Sequence, residues 1–461
     1  MATIAENLQT IQNIKQDIKR AIENKGVDMT NTPFTEYSTK IDEISSGGGT
    51  GGDTTNYSYL VPTADVEGLK ALGWDDESIG YFKDNNLCYE WQKDDFKVSE
   101  ENKVLYGVVD KNNYKEYKDN PNMNYLPLID VSNTIINFQN FKHIKGFPLI
   151  KNLYGSSLQY FFQDCSLLKN IPPFDTSNMT NMYYTFNGCS SLQTIPKLNT
   201  SKVTNMGGCF QGCKNLISIP HLDTSKVTSM YGMFRNCSLL TTIPHIDTSN
   251  VTSMDTMFQE CTSLQTIPKL NTSKVTVMTS CFSGCISLTS VPELDTSNTT
   301  AMNFMFSNCK NLVSIPKLDT SKATNMNSMF TTCSILKTIP AIDTSNATNI
   351  GGMFSYCYNL ESLPLLDCGN VTAANNIFAY SNYNKLTYLG GFKDLKISIT
   401  SYFLALCPNL TTESLMNVIN NLYDLTANGI SGKTLKFGTT NLNKLTAEQI
   451  AVATAKGWTL T

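Results

Sequence analysis

Apolar and polar positions follow one long period along most of this chain. Phenylalanines recur every 24 residues, at Phe162, Phe186, Phe210, Phe234, Phe258, Phe282, Phe306, Phe330, Phe354 and Phe378. Prolines keep the same step from Pro148 to Pro364. A polar triplet opens at Asp175, Asn199, Asp223, Asp247, Asn271, Asp295, Asp319 and Asp343, each followed by Thr-Ser, and a decayed copy follows at Asp367-Cys368-Gly369. No insertion breaks the register across these positions. A fixed period of this length predicts a stacked solenoid, because one short unit cannot bury its own apolar face but a pile of units can.

The unit Asp247 to Leu270 shows what each position does. Its recurring apolar residues are Val251, Met254, Met257, Phe258, Cys261, Leu264 and Ile267. Steps of three, one and three from Met254 to Cys261 predict one or two helical turns with their side chains inward. Leu264 to Leu270, with its Ile-Pro pair, predicts a short strand. Asp-Thr-Ser suits an Asx or Ser/Thr turn, in which short polar side chains satisfy local backbone groups. The fold class expected is therefore an α/β solenoid of strand, turn and short helix per unit, with coils ~4.8 Å apart.

The two ends read differently. Ile4, Leu8, Ile11, Ile14, Ile18 and Ile22 form one apolar stripe on a helix over residues 3 to 25. Isoleucine at both a and d positions leans towards a trimeric coiled coil. Packing of the same stripe on a second helix, about Pro33 to Ile44, stands as an equal reading. Residues 45–53 (SSGGGTGGD) are a flexible linker after the 1–44 helical segment. Residues 54–126 suit a small α+β domain, with a strand at 104–109. The solenoid is expected over 127–394 and a C-terminal cap over 395–461. In that C-terminal segment Thr412 is expected to N-cap a helix running to about Leu425, a strand falls near 434–437, and Thr446 with Gln449 forms a capping box. Gly457 would close that last helix, with Trp458 behind it.

Composition narrows the function classes. The net charge of −4 gives no basic footprint for nucleic acid. Three histidines, His143, His221 and His245, leave few candidates for the commonest general base and metal ligand. No triad, carboxylate pair or phosphate loop can be assembled, so no enzyme, cofactor or metal site is expected. No stretch reaches the ~20 apolar residues that span a bilayer, and the polar N-terminal stretch does not resemble an export signal. The chain is expected to fold in a reducing cytoplasm.

Cysteine count first suggests redox or metal chemistry, but position removes that suggestion. Cys165, Cys189, Cys213, Cys237, Cys261, Cys285, Cys309, Cys333 and Cys357 all occupy one station of the repeat. Stacked neighbours have parallel Cα–Cβ vectors, which disfavours bridging. A buried thiol ladder is expected, with cysteine acting as a small apolar residue. Cys209 and Cys281 occupy the slot filled elsewhere by Met233, Met257, Met305, Met329 and Met353.

Two sets of residues are candidates for receptor contact. Tyr183, Tyr184, Tyr231 and Phe304 interrupt an otherwise small, polar row, and aromatics at such variable positions suit a contact patch. His221 and His245 share a station with Lys197, Lys269, Glu293 and Lys317. That row reads as a ligand strip or as an ordinary polar edge.

The motif Asp-Thr-Ser-Asn-Val-Thr-x-Met-x-x-Met-Phe-x-x-Cys-x-x-Leu-x-x-Ile-Pro resembles BspA-type leucine-rich repeat proteins, strongly over 165–366 and weakly over 127–164. The resemblance implies a leucine-rich repeat fold and, in many members, bacterial surface adhesion. The N-terminal ATIAENLQTIQNIKQDIKRAIENKG, Pro33 to Tyr37 and the linker resemble segments of virion fibre and tail proteins from phages of gut bacteria, as does LTAEQIAVATAKGWTL at the C-terminus. This second resemblance implies a virion appendage. Other virion proteins would hold its N-terminal segment, and a host receptor or glycan would meet the solenoid. The alternative is a bacterial surface adhesin or protein-interaction module.

Overall fold

The repeat unit dictates a coil that must satisfy its backbone partly from its neighbours, and the computed structural model shows how. It describes residues 155–461 apart from 170, 172–173, 380–382 and 401–402; before them it describes only 89–92, 95–98, 129–130, 138–140, 142 and 150–151. The chain divides into two units, Met1–Tyr59 and Leu60–Thr461, and every described residue belongs to the second. The Ile4–Ile22 stripe, the linker and the strand expected at 104–109 lie outside the described residues.

Backbone pairing confirms the stacking register. Isolated parallel bridges join Ser157, Asn181, Asn205, Ser229, Ser253, Val277, Ala301, Asn325, Asn349 and Ala373 in succession. After each bridge the expected short helix is absent. Residues 254 to 261 form instead a ribbon of turns whose N–H groups alternate between two kinds of partner. Met254, Thr256, Phe258 and Glu260 donate to carbonyls of the next coil, at Val277, Thr279, Cys281 and Ser283, while Met257, Gln259 and Cys261 donate three residues back. The cause is backbone handedness. Thr256 and Glu260 have φ of 55° and 60°, and the same two stations recur as Gly208, Gly212, Gly232, Gly284 and Gly352 in other coils. A left-handed residue at every fourth position breaks the helix and turns alternate peptides along the stack.

The expected strand at Leu264–Leu270 is also corrected. That stretch is assigned no strand, because Pro268 has no N–H to give a ladder. At the downstream end of this edge, where Gly390 stands opposite Pro364, short strand pairs form. β5 (Ser362–Leu363) pairs in parallel with β7 (Tyr388–Leu389), and β6 (Leu366–Asp367) with β8 (Phe392–Lys393). Gly390 there donates its N–H to Leu363 at 3.0 Å. Upstream, β1 (Tyr89–Gln92) and β2 (Asp95–Val98) form an antiparallel hairpin, and β3 (Ile129–Asp130) pairs in parallel with β4 (Ile150–Lys151).

Columns of identical side chains fill the core. The phenylalanine column starts one coil earlier than the motif suggests, at Phe138, which stacks on Phe162. From Phe162 to Phe378 the ring centroids are 5.4–6.1 Å apart. That exceeds the backbone spacing because parallel rings prefer an offset to a face-to-face sandwich. The cysteine column is buried, and every described cysteine is a free thiol. Each thiol of the column donates to the phenylalanine carbonyl of the preceding coil; Cys261 Sγ lies 3.0 Å from the Phe234 oxygen. Burial holds these thiols well above the usual range, Cys261 and Cys357 at about 12. They are therefore inert as nucleophiles near neutral pH.

The polar triplet forms the Asx turn expected of it. Ser249 N–H donates to Asp247 Oδ1 at 2.8 Å, and the pattern recurs along the solenoid. Its threonine does more than the sequence shows. Thr248 is buried, and its hydroxyl both donates to the Asn271 carbonyl and accepts from the Asn271 N–H, each at 2.8 Å.

The cap closes the last coil. It comprises a 3-10 turn at Leu404–Leu406, α1 (Thr412–Asn421), β9 (Lys433–Leu435), α2 (Thr439–Leu442), α3 (Ala447–Ala455) and β10 (Trp458–Leu460). Thr411, rather than Thr412, caps α1 by accepting from Ser414 N–H, and α1 ends at Asn421 instead of Leu425. Lys456 Nζ reaches back to the α1 end and donates to the Asn420 carbonyl at 2.7 Å. The capping box of α3 is present in both directions between Thr446 and Gln449. Gly457 turns the chain at φ 85°. Trp458 enters β10, parallel to β9, and its Nε1–H donates to the Tyr423 carbonyl at 2.8 Å. No helix among the described residues is long and apolar enough to cross a membrane.

Candidate functional site

The turn ribbon carries two neighbouring stations, the eighth and ninth after the Asp; from Tyr160 to Asp255 their larger side chains are half-buried and their glycines are buried. In successive coils the first carries Tyr183, Gly207, Tyr231 and Asp255, and the second carries Tyr160, Tyr184, Gly208 and Gly232. The tyrosines gather here. Tyr183 and Tyr184 meet edge to face at 4.4 Å, and Tyr160 packs on both at 5.7 and 5.9 Å. Two glycines make room for the rings. A Cβ on Gly207 would stand 3.0 Å from the Tyr183 ring, and one on Gly208 would stand 2.7 Å from the Tyr184 ring. Gly208 also has φ 59°. The Tyr184 hydroxyl is pushed up to about 12 by burial first, then by Tyr183 and Tyr231 beside it.

Sequence reading missed Tyr160, which stands one period before Tyr184 in a weakly repeating coil. It also missed the polar neighbours. Gln211, Arg235 and Gln259 follow one another at a single ribbon station in three adjacent coils, and Arg235 is the only arginine among the described residues. Gln211 Oε1 lies over Gly232, beside Thr256 and the Arg235 stem. Asp255 stands one coil beyond Tyr231. Burial raises its carboxyl and nearby Arg235 partly offsets that.

The remaining candidates lie elsewhere. Phe304 occupies a left-handed position at φ 58°, is 39% exposed, and shares no ring contact with the tyrosines. His221 and His245 are exposed at the station two residues before the Asp. His245 lines an open depression of about 500 Å³ with Lys269, Glu293 and Lys317, whereas His221 does not. The carboxylates of this edge serve their own turns. The Ser297 hydroxyl and N–H donate to Asp295 Oδ1 at 2.6 and 3.1 Å and hold that carboxyl below the usual range. Among the described residues no group of three or more His, Cys, Asp or Glu is arranged to hold a metal ion.

Comparison with known proteins fits the repeat. The family described as "Mycoplasma protein of unknown function, DUF285" matches in three overlapping stretches, 156–265, 229–334 and 289–388, which together cover just over half of the chain. The chain belongs to the DUF285 family. Its DUF285 stretches contain Tyr160, Tyr183, Tyr184, Tyr231, His221, His245 and Arg235. No curated protein matches it. Similar solved structures include a leucine-rich repeat protein from Bacteroides ovatus, at 17% identity over 68% of this chain and 88% of that one, with a TM-score of 0.35. A leucine rich cell surface protein from Faecalibacterium prausnitzii is 19% identical over 59% of this chain and 76% of that one, with a TM-score of 0.34. The functional domain of InlJ from Listeria monocytogenes, which includes a cysteine ladder, is 12% identical over 72% of this chain and 73% of that one, with a TM-score of 0.22.

Proposed function

We propose that this DUF285 chain is a non-catalytic interaction module that presents its tyrosine-bearing ribbon to a partner at a cell surface. The observation that carries the reading is the gathering of four tyrosines at stations that no core column constrains. Tyr160, Tyr183 and Tyr184 are in mutual ring contact and Tyr231 adjoins Tyr184, so they form one continuous patch. Half-buried aromatics of this kind provide large contact area at low entropic cost. Nothing in the fold needs them there, since Gly, Thr, Ser and Asn fill the same stations in other coils.

Binding of labelled full-length chain to intact bacterial and epithelial cells tests the proposal. Saturable binding that falls with Tyr184→Ala and Tyr231→Ala supports it. Absence of binding by the folded chain overturns it. Under the same proposal residues 1–44 attach or oligomerise the module through Ile4, Leu8, Ile11, Ile14, Ile18 and Ile22. Sedimentation of the full chain beside one lacking residues 1–53 checks that role, and a monomer in both cases counts against it. The virion-appendage expectation draws on residues 1–44, outside the described region, and on a C-terminal motif whose capping box serves the cap itself.

A further inference from the structure

We propose that the tyrosine ribbon is a binding site for a neutral oligosaccharide, with Gln211, Arg235, Asp255 and Gln259 supplying its polar contacts. The inference rests on the interaction-module reading and names its ligand class.

Four features of the patch point the same way. First, unpaired polar atoms concentrate here. Six enclosed side-chain atoms among the described residues have no hydrogen-bond partner, and four are Gln211 Oε1, Arg235 Nε, Asp255 Oδ1 and Gln259 Oε1. The other two are threonine hydroxyls of the core column, Thr200 and Thr272. A buried polar group left unpaired is costly, so a cluster of four is a stored demand for partners. Second, the set mixes acceptors with a donor. A hydroxyl both donates and accepts, so a polyol can answer all four where a purely accepting or purely apolar ligand cannot.

Third, the charges cancel locally. Asp255 and Arg235 face the same patch in adjacent coils, and burial raises the Asp255 carboxyl while Arg235 opposes that rise. No ion pair within 4.0 Å joins them, so neither charge is neutralised by direct contact with the other. An anion would meet Asp255 and a cation would meet Arg235. Fourth, aromatic faces beside planar polar groups suit a ligand with apolar C–H faces and a polar rim. The patch runs from Tyr160 to Gln259 over four inter-coil steps, roughly 20 Å at the stacking distance, which suits an extended chain better than a single small molecule.

The test titrates the full chain with short neutral gluco-, manno- and galacto-oligosaccharides, with sialylated oligosaccharides and with an oligolysine peptide, by calorimetry and tyrosine fluorescence. At least one neutral oligosaccharide is expected to bind. Tyr184→Ala and Arg235→Gln should each weaken that binding about tenfold or more, while Phe304→Ala leaves it unchanged. Thermal melts of each variant exclude unfolding. Binding of the sialylated or lysine probes alone overturns the proposal, as does neutral-sugar binding that ignores both substitutions. Failure of all three probe classes also overturns it. If cell binding persists after periodate destroys surface sugars, the oligosaccharide site is wrong and the interaction module stands. If no cell binding exists, the module itself is wrong.

Discussion

Two kinds of column run along this solenoid, and they differ in what they hold constant. The phenylalanine, cysteine and threonine columns repeat one residue at nearly every rung. The two ribbon stations beside them change from Tyr to Gly to Asp to Thr to Asn. Both sit on the same backbone and share the same inter-coil bonds, so geometry alone does not separate them. What separates them is whether the side chain has a neighbour that dictates it. Inside, each Phe stacks on another Phe and each Cys meets a Phe carbonyl, so one residue suits every rung. Outside, the rung constrains only handedness, and the residue is free to serve something else. Internal repetition thus does for one chain what comparison between relatives usually does.

The largest expected effect is on the constant side. Phe258→Ala removes a middle rung of the ring column and should cost ~3–5 kcal/mol by denaturant unfolding. A loss as small as that of a surface substitution would mean the column is not a core element. Thr248 and Thr200 sharpen the comparison within a single column. Thr248→Val strips both bonds to Asn271 and should cost ~1–3 kcal/mol. Thr200 has a buried hydroxyl without a partner, so Thr200→Val should be neutral or stabilising. Equal losses at the two sites would break the hydrogen-bond account of the column.

Gly208→Ala tests the boundary between the two kinds of column. It places a Cβ in a left-handed residue and against the Tyr184 ring, at about 1–2 kcal/mol from the backbone alone. The accompanying change in tyrosine fluorescence would show that the glycine seats the patch. The smallest effect is the titration of Tyr184. Its hydroxyl ionises at about 12 when folded, against ~10 in the unfolded chain. Between those values the native state keeps a proton that the unfolded state has lost, so stability is fully present below the unfolded value and falls as pH rises through this window. Tyr184→Phe should flatten the fall. An unchanged slope in that variant would assign it to other groups.

Much of this was legible in the sequence, and the failures have physical causes. Period and register were plain, since proline, phenylalanine and Asp-Thr-Ser keep step. The capping box at Thr446 and the Asx turn at Asp247 were legible because their bonds are local. The turn ribbon was not, because apolar steps of three and four describe a helix and a chain of three-residue turns equally well. The glycines at Gly208, Gly212, Gly232 and Gly284 carried the missing information, each marking a left-handed station. The strand expected at Leu264–Leu270 failed for a reason also printed in the chain: the proline that marks the period withholds the ladder's N–H. Arg235, Asp255 and the two glutamines were illegible as a group, because they come together only when adjacent coils stack.

The Asn271 bonds to Thr248 have one more consequence. A hydroxyl that both gives and takes a proton with the next rung works like a reusable coupling, identical at each joint where it forms. The ribbon bonds from Met254 to Val277 have the same character. Because the ribbon bonds recur from coil to coil, removing residues 247–270 or duplicating them would bring matching ribbon groups together. The length of the solenoid is therefore an adjustable ruler, and genetic slippage of one repeat could change its reach without altering either end.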